Sequence, residues 1–92
     1  MIVVAECSFF IPMASSLKDK RSVVKSMIER VKNQYNVSIA EMEHQNLWQR
    51  TTLVVVSVAS SNERADKEVR RAIRLLESNP EWEMTELHFE QY

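Results

Sequence analysis

The chain has 92 residues, of which 45% are hydrophobic and 27% are charged, and its formal net charge at pH 7 is −1. These values are typical of an ordinary globular protein, and the length suits one domain, residues 1–92, whose core needs no disulfide or metal. The sequence has no glycine, which excludes glycine-rich phosphate loops, dinucleotide fingerprints and glycine-flanked nucleophile elbows, so we expect no cofactor.

The first predicted element is a β-strand over residues 2–11, where apolar residues alternate with a period of two. One face of this strand contains Glu6, so the other, fully apolar face should be buried. Pro12 ends the strand. The face expected in the core consists of Val3, Ala5, Cys7, Phe9 and Ile11.

The first predicted helix covers residues 17–35 and has a well-marked start. The Ser16 hydroxyl can cap an unpaired amide of the first turn, and Asp19 three residues later completes a short capping box. The same turns contain Lys18, Lys20 and Arg21, although the helix dipole favours anions at this end. This unfavourable placement of cations is a pointer to function. The apolar positions of the helix are Leu17, Val24, Met27, Ile28, Val31 and Tyr35.

The next two predicted strands cover residues 37–43 and 51–59. In the first of them the alternation is irregular and the buried face stays undecided, which suits an edge strand with a bulge. The second is almost continuously apolar, as in a central strand covered on both faces. Between them, residues 44–49 form a polar connection, and we expect its Trp48 to close one end of the core, with stacking on a base as the alternative.

A second helix and a fourth strand complete the chain. Ser60 and Glu63 form another predicted capping box, and the helix stops at residues 78–80. Because glycine is absent, we expect Asn36 and Asn79 to provide left-handed helix stops. The apolar face of this helix consists of Ala65, Val69, Ala72, Ile73 and Leu76. The last strand alternates Thr85, Leu87 and Phe89 with Glu86, His88 and Glu90.

This order of elements predicts an α+β fold, a ferredoxin-like βαββαβ sandwich with a four-stranded antiparallel sheet and both helices on one face. Strands one and three are then central, and the second face of the sheet has no helix cover. On that open face we expect Ile2, Val4 and Phe10, with Leu53 and Val55 or their alternates. A homodimer through this face and simple partial exposure are both left open.

The charged residues are strongly segregated between helices and strands. The predicted helices contain eleven of the twelve Lys and Arg residues but six of the thirteen acids, a net charge of +5, against −6 for the remainder. RNA is attracted to the helix side, because cations that neutralise phosphates release counterions. Solvated helix faces with paired charges, such as Asp66 with Arg70, are the alternative. The outward cations are expected to be Lys18, Lys20, Arg21, Lys25 and Lys32 in the first helix and Arg64, Lys67, Arg70, Arg71 and Arg74 in the second.

The sequence contains no recognised catalytic or metal-binding pattern. Glu41, His44 and His88 offer potential ligands, but no spacing such as H-E-x-x-H is present. No serine is placed with a histidine and an acid in a recognised arrangement. Cys7 is a single cysteine in an apolar strand, which favours a buried, inert thiol and a reducing cytoplasm. No apolar run approaches the length of a bilayer span, so no membrane partner is expected.

Three ordered motifs stand out: SLKDKR at residues 16–21, NVSIAE at 36–41 and LWQR at 47–50. Their order and spacing resemble the YlxP-like family of small bacterial proteins, the domain-of-unknown-function family 503. The likeness covers nearly the whole chain, although Thr51 and Thr52 stand where members often have a small residue and a glycine. The matched positions worth testing are Ser16, Leu17, Lys18, Lys20, Arg21, Ala40, Glu41, Trp48, Gln49 and Arg50.

The resemblance implies a ferredoxin-like fold and a family for which no enzymatic activity is established. It also implies genes that often lie among those for translation initiation and ribosome maturation factors. This association favours contact with RNA or the ribosome without giving a mechanism.

The leading hypothesis is a non-catalytic protein that associates with RNA or a ribosomal subunit. Cations of both helices would contact phosphates, with Trp48 and Arg50 as further contacts. The alternative is a homodimeric interaction or regulatory module built on the open sheet face. A third hypothesis, an enzyme or metal binder, uses Glu41 with His44 or His88. The expected phosphate contacts are Lys18, Lys20, Arg21, Lys25, Arg71 and Arg74.

Overall fold

The computed structural model describes residues 1–44 and 46–92, so the prediction of a polar connection over residues 44–49 lies, at Gln45, outside the described residues. The elements in chain order are β1 (Ile2–Phe10), α1 (Leu17–Gln34), β2 (Ser38–Glu43), β3 (Arg50–Val58), α2 (Asn62–Glu77) and β4 (Glu83–Gln91). The strands form one antiparallel sheet in the order β2-β3-β1-β4. This arrangement confirms the predicted ferredoxin-like βαββαβ fold.

The core lies between the two helices and one face of the sheet. The five predicted core residues of the first strand are all buried, and so are the five predicted apolar positions of α2. On β3, Leu53 and Val55 stand opposite the buried residues Cys7 and Ala5, so they also face the helices. The alternates therefore occupy the open face, where Val54 and Val56 are half-buried.

A tryptophan closes one end of the core, but it is Trp82 and not Trp48. The Trp82 ring stacks on Phe9 with centroids 4.2 Å apart, and its Nε1 donates a hydrogen bond to the Leu76 carbonyl at 2.7 Å. Trp48 is 53% exposed, so the prediction that it closes the core was wrong. A buried tryptophan must satisfy its ring N–H, and the last turn of α2 offers Trp82 a carbonyl for this purpose.

The edge strands β2 and β4 both contain irregularities in register. In β2 the shift falls between Glu41 and Glu43, which confirms the predicted bulge. Ile39 is buried opposite Val55, and this contact identifies the helix-facing side of β2 that the sequence left undecided. In the pairing of β1 with β4, a second shift falls between Ser8 and Phe9.

The two helix starts differ from the predicted capping boxes. At α1 the Ser16 hydroxyl accepts from the Asp19 N–H at 3.0 Å, but the Asp19 carboxylate turns to Ser15 instead of Ser16. The Ser15 backbone N–H, and then its hydroxyl, donate to this carboxylate and hold the pKa of Asp19 below its ordinary value.

The cap of α2 is Ser61, so the prediction of Ser60 was wrong by one residue. The Ser61 hydroxyl accepts from the Arg64 N–H at 3.2 Å, whereas Ser60 is exposed. Glu63 therefore closes no box with Ser60, and its carboxylate lies 3.4 Å from Lys67 Nζ. Two adjacent serines have the same capping chemistry, and the packing of α2 decides which of them is used.

Neither predicted asparagine provides a left-handed helix stop. Among the described non-glycine residues, only His44 has a positive φ, of 62°. The Asn36 N–H donates to Glu68 Oε2 at 2.8 Å, and the Asn79 side chain accepts from the Glu81 N–H at 2.8 Å. The helices end instead at Tyr35 and Ser78, whose backbone N–H groups donate to the Val31 and Arg74 carbonyls.

The open face of the sheet carries an apolar band beside acidic side chains. Ile2 pairs directly with Val58 and Val4 with Val56. The exposed neighbours on the same face are Glu6, Glu86, His88 and Glu90. Elsewhere, within residues 1–44 and 46–92, neither helix is both long and apolar enough to cross a bilayer.

The cap assignment predicts different effects for two neighbouring substitutions. Ser61→Ala should lower the free energy of unfolding by about 1 kcal/mol, because the Arg64 amide loses its acceptor. Ser60→Ala is the matched control and should change it by less than about 0.5 kcal/mol. Urea denaturation followed by tryptophan fluorescence measures both, and a larger loss for Ser60→Ala would contradict the assignment.

Candidate nucleic-acid interface

Lys20 is a core residue and not a phosphate ligand. Its side chain is 0% exposed, its Nζ lies 2.8 Å from Glu41 Oε2, and it donates to the His44 carbonyl at 2.6 Å. The prediction that Lys20 binds phosphate was therefore wrong. The burial of Lys20 could have been predicted from its position, because residue 20 falls between Leu17 and Val24 on the buried side of the helical repeat.

The Lys20 ammonium joins three segments of the chain. Glu41 Oε2 also accepts from the Thr51 hydroxyl at 2.6 Å, which connects the ion pair to β3. The His44 carbonyl that receives Lys20 also accepts from the Leu47 N–H at 3.1 Å. The start of α1, the end of β2 and the loop of residues 46–49 are thus held together around one buried charge.

Four of the five exposed cations of α1 lie on one side of the helix, without Arg30, and we call them the α1 stripe: Lys18, Arg21, Lys25 and Lys32. At about 3.6 residues per turn they fall within roughly 60° of the helix circumference and about 21 Å of its length. In the described part of the chain none of the four lies within ion-pair distance of an acid. Lys32 was missing from the predicted site, although lysine recurs every seven residues at 18, 25 and 32.

Most cations of α2 are already paired with acids of the same helix. Lys67 pairs with Glu63 at 3.4 Å. Arg70 and Arg71 pair with Asp66 and Glu68 at 2.7 and 3.4 Å. These pairs at helical spacing are the alternative that charge counting left open, and they leave α2 less free than α1 to receive a phosphate.

The structure does not bring the predicted α2 contacts Arg71 and Arg74 to the start of α1. Arg71 contacts Glu68, whose second carboxylate oxygen accepts from the Asn36 N–H just after the end of α1. Arg71 therefore lies towards the opposite end of α1 from Lys18. Arg74 is exposed beside β4 and lines a shallow groove there with Arg70, Leu87 and others.

Trp48 stands on a loop that is braced by hydrogen bonds on both sides. The Gln49 side-chain amide donates to the Pro12 carbonyl at 3.0 Å and to the Ala14 carbonyl at 3.3 Å. The Gln49 carbonyl accepts from the Ile11 N–H at 2.8 Å. These bonds fasten the loop to the segment that leads into α1, so Trp48 lies at the same end of the molecule as Lys18.

Arg50 begins β3 at the rim of the open face. It stands directly opposite Phe10 of β1, and its side chain is exposed. No acid of residues 1–44 or 46–92 lies within ion-pair distance of its guanidinium. Arg50 and Trp48 therefore add a cation and an aromatic ring at the same end of the molecule as Lys18.

The residues considered for catalysis or metal binding are dispersed or engaged. Glu41 is bound to Lys20 and Thr51, and it lies on the edge strand opposite to the one that carries His88. The described residues contain no group of three or more His, Cys, Asp or Glu able to hold a metal ion. Burial raises the pKa of the Cys7 thiol to about 12, which keeps it protonated and unreactive near neutral pH.

Comparison with known proteins gives a family, a curated relative and several solved structures of similar fold. The family model described as "Protein of unknown function (DUF503)" matches residues 2–89. "Uncharacterized protein YlxP" of Bacillus subtilis (strain 168) is 45% identical over 85 residues, which cover 92% of each chain.

Two of the similar solved structures are designed proteins. "De novo designed protein Foldit4" has a TM-score of 0.62 at 16% identity, covering 100% of this chain and 99% of its own. The "De novo designed protein LFR1 1 with ferredoxin fold" has a TM-score of 0.56 at 18% identity, covering 100% and 87%. At these identities the likeness shows the fold alone.

The buried ion pair predicts unequal roles for two lysines of the SLKDKR motif. Lys20→Met should lower the free energy of unfolding by about 3 kcal/mol, because Glu41 loses its ion pair of 2.8 Å with a buried ammonium. Lys18→Met, at an exposed position, should change it by less than about 0.5 kcal/mol.

A third variant separates charge from packing in this test. Adding Glu41→Gln to Lys20→Met replaces the Glu41 carboxylate with a neutral amide that can still accept a hydrogen bond from Thr51. The double variant should therefore recover part of the stability that Lys20→Met loses. Urea denaturation measures all three. Equal stability of Lys20→Met and Lys18→Met would show that the ion pair contributes nothing.

Proposed function

The chain belongs to the DUF503 family, and we propose that it is a non-catalytic protein that binds RNA through the α1 stripe. The observation that carries this proposal is the row of four exposed cations, none of which has an acid of the described residues within ion-pair distance, although Glu29 and Glu41 line the same groove. Such a row neutralises successive phosphates and releases their counterions, which gives binding that does not depend on sequence.

The charge distribution between the two layers supports this orientation. The α1 stripe lies on the helix layer, whereas Glu6, Glu86 and Glu90 are exposed on the open face of the sheet. A polyanion is therefore attracted to one side of the molecule and repelled from the other, and this asymmetry orients the encounter.

We propose that the ligand is ribosomal RNA, within a ribosomal subunit or its precursor, and that the protein acts in the cytoplasm. This choice depends on the gene association that the family resemblance implies, while the phosphate chemistry depends on α1 alone. The revised set of phosphate contacts is Lys18, Arg21, Lys25 and Lys32, without Lys20.

A second candidate function is self-association through the open sheet face. Ile2 with Val58, and Val4 with Val56, form an apolar band that no helix covers. Sedimentation at high micromolar concentration tests this candidate, since a protein that stays monomeric there does not use the face for a stable dimer.

The RNA proposal predicts a salt-sensitive interaction that one double variant abolishes. Wild-type protein should bind a ribosomal RNA fragment and co-sediment with ribosomal subunits, and the binding should weaken steeply between about 50 and 200 mM salt. Arg21→Glu with Lys25→Glu should remove most of the binding, because both exposed side chains lie in the middle of the stripe.

The matched control changes the same net charge on the other helix. Lys67→Glu with Arg71→Glu alters two exposed cations that already pair with acids, so it should keep RNA affinity within a few-fold of wild type. Equal losses in the two double variants would show a response to net charge alone. Absence of binding by the wild-type protein would refute the proposal.

A further inference from the structure

The two tryptophans of this chain are placed in opposite ways. Trp82 is 4% exposed, stacked on Phe9 and hydrogen-bonded through its ring nitrogen. Trp48 is 53% exposed, and its neighbour Leu47 is 48% exposed. A large aromatic ring in contact with water loses the free energy that its burial would supply, so its exposure calls for a reason.

Loose attachment of the loop is not that reason. The Gln49 side chain and backbone make three hydrogen bonds to residues 11–14, and the Leu47 N–H is held by the His44 carbonyl. The same carbonyl receives the buried ammonium of Lys20. The ring is therefore presented by a braced loop, and little ordering entropy remains to be lost when a ligand binds.

The charge beside Trp48 indicates the kind of ligand. Arg50 lies two residues away without an acidic partner in the described chain, and the α1 stripe begins at the same end of the molecule. A planar ring next to unpaired cations suits a ligand that is itself planar and negatively charged, and a nucleotide has both properties.

We infer that the 46–50 loop binds an unpaired base of single-stranded RNA, stacked on Trp48, with the adjacent phosphate on Arg50. This inference rests on the proposed function and adds the class of RNA. Bases inside a duplex are stacked on both faces and offer no free face to a side chain, whereas unpaired bases do. The strand then continues from the loop onto the α1 stripe.

A protein partner suits this surface less well. Among the described residues that line the shallow groove here, only Leu47 and Trp48 are apolar and exposed, and the others are Asn46, Gln49 and Arg50. Protein interfaces normally bury a larger area with an apolar centre than these two side chains provide.

The test compares a 12-nucleotide uridine strand with an RNA duplex of the same length. Binding of the strand should quench tryptophan emission of the wild-type protein, because a stacked base covers Trp48. Trp48→Leu should remove the quenching, since the remaining Trp82 is buried, and should weaken the strand's affinity about tenfold. Trp48→Phe should keep most of the affinity, because a ring is still present.

Two controls separate stacking from loss of apolar surface or of charge. Leu47→Ala removes an exposed apolar side chain from the same loop and should leave strand affinity within about twofold. The duplex should bind wild type and Trp48→Leu equally, without quenching, whereas Arg21→Glu with Lys25→Glu should lose both RNAs.

The outcomes separate this inference from the proposed function. The inference is overturned if Trp48→Leu binds the strand as tightly as wild type does, because the ring then contributes nothing to RNA binding. It is also overturned if Leu47→Ala loses as much affinity as Trp48→Leu, because stacking on a ring is then not the cause. The phosphate-binding function then stands on the α1 double variant. If wild-type protein binds neither RNA, both proposals fail together.

Discussion

The ion pair between Lys20 and Glu41 is the contact on which the rest of this end of the molecule depends. A charge without access to water must find a counter-ion and acceptors, since its desolvation is otherwise uncompensated. Lys20 therefore fixes where β2 ends and which way the His44 carbonyl points. The positive φ of His44, 62°, costs about 1 kcal/mol for a residue with a Cβ, and its carbonyl gains a charge-assisted bond of 2.6 Å in exchange.

The positive charges of this chain differ in whether they are free to contact a ligand. Lys20 is buried in the core, while its neighbours Lys18 and Arg21 are exposed at the surface. On α2 most cations pair with acids one turn away. The two helices therefore differ in how many of their cations are available to a ligand, although both contain several. Counting charges cannot show this difference, because availability depends on which side chains are already paired.

Periodicity predicted more of this structure than residue chemistry did. The alternation in β1 and the apolar face of α2 were correct because burial imposes both patterns directly. Lys20 was misplaced because its charge was given more weight than its position in the helical repeat. That Trp82 closes the core in place of Trp48 was not predictable, since it depends on which ring reaches Phe9 across the fold. Helical spacing suggested the pair of Asp66 with Arg70, and the structure adds pairs for Lys67 and Arg71.

The acidic strands have a consequence of their own for crowded solutions. Both edges of the sheet leave backbone groups unpaired, and such edges can recruit another chain. The register shifts in the two edge pairings interrupt these templates. The edge strands also contain glutamates, two in β2 and three in β4. When two copies approach edge to edge, their backbone hydrogen-bonding groups are therefore out of register and their side chains have like charges. The acids of the edge strands therefore oppose the growth of fibrils from the sheet.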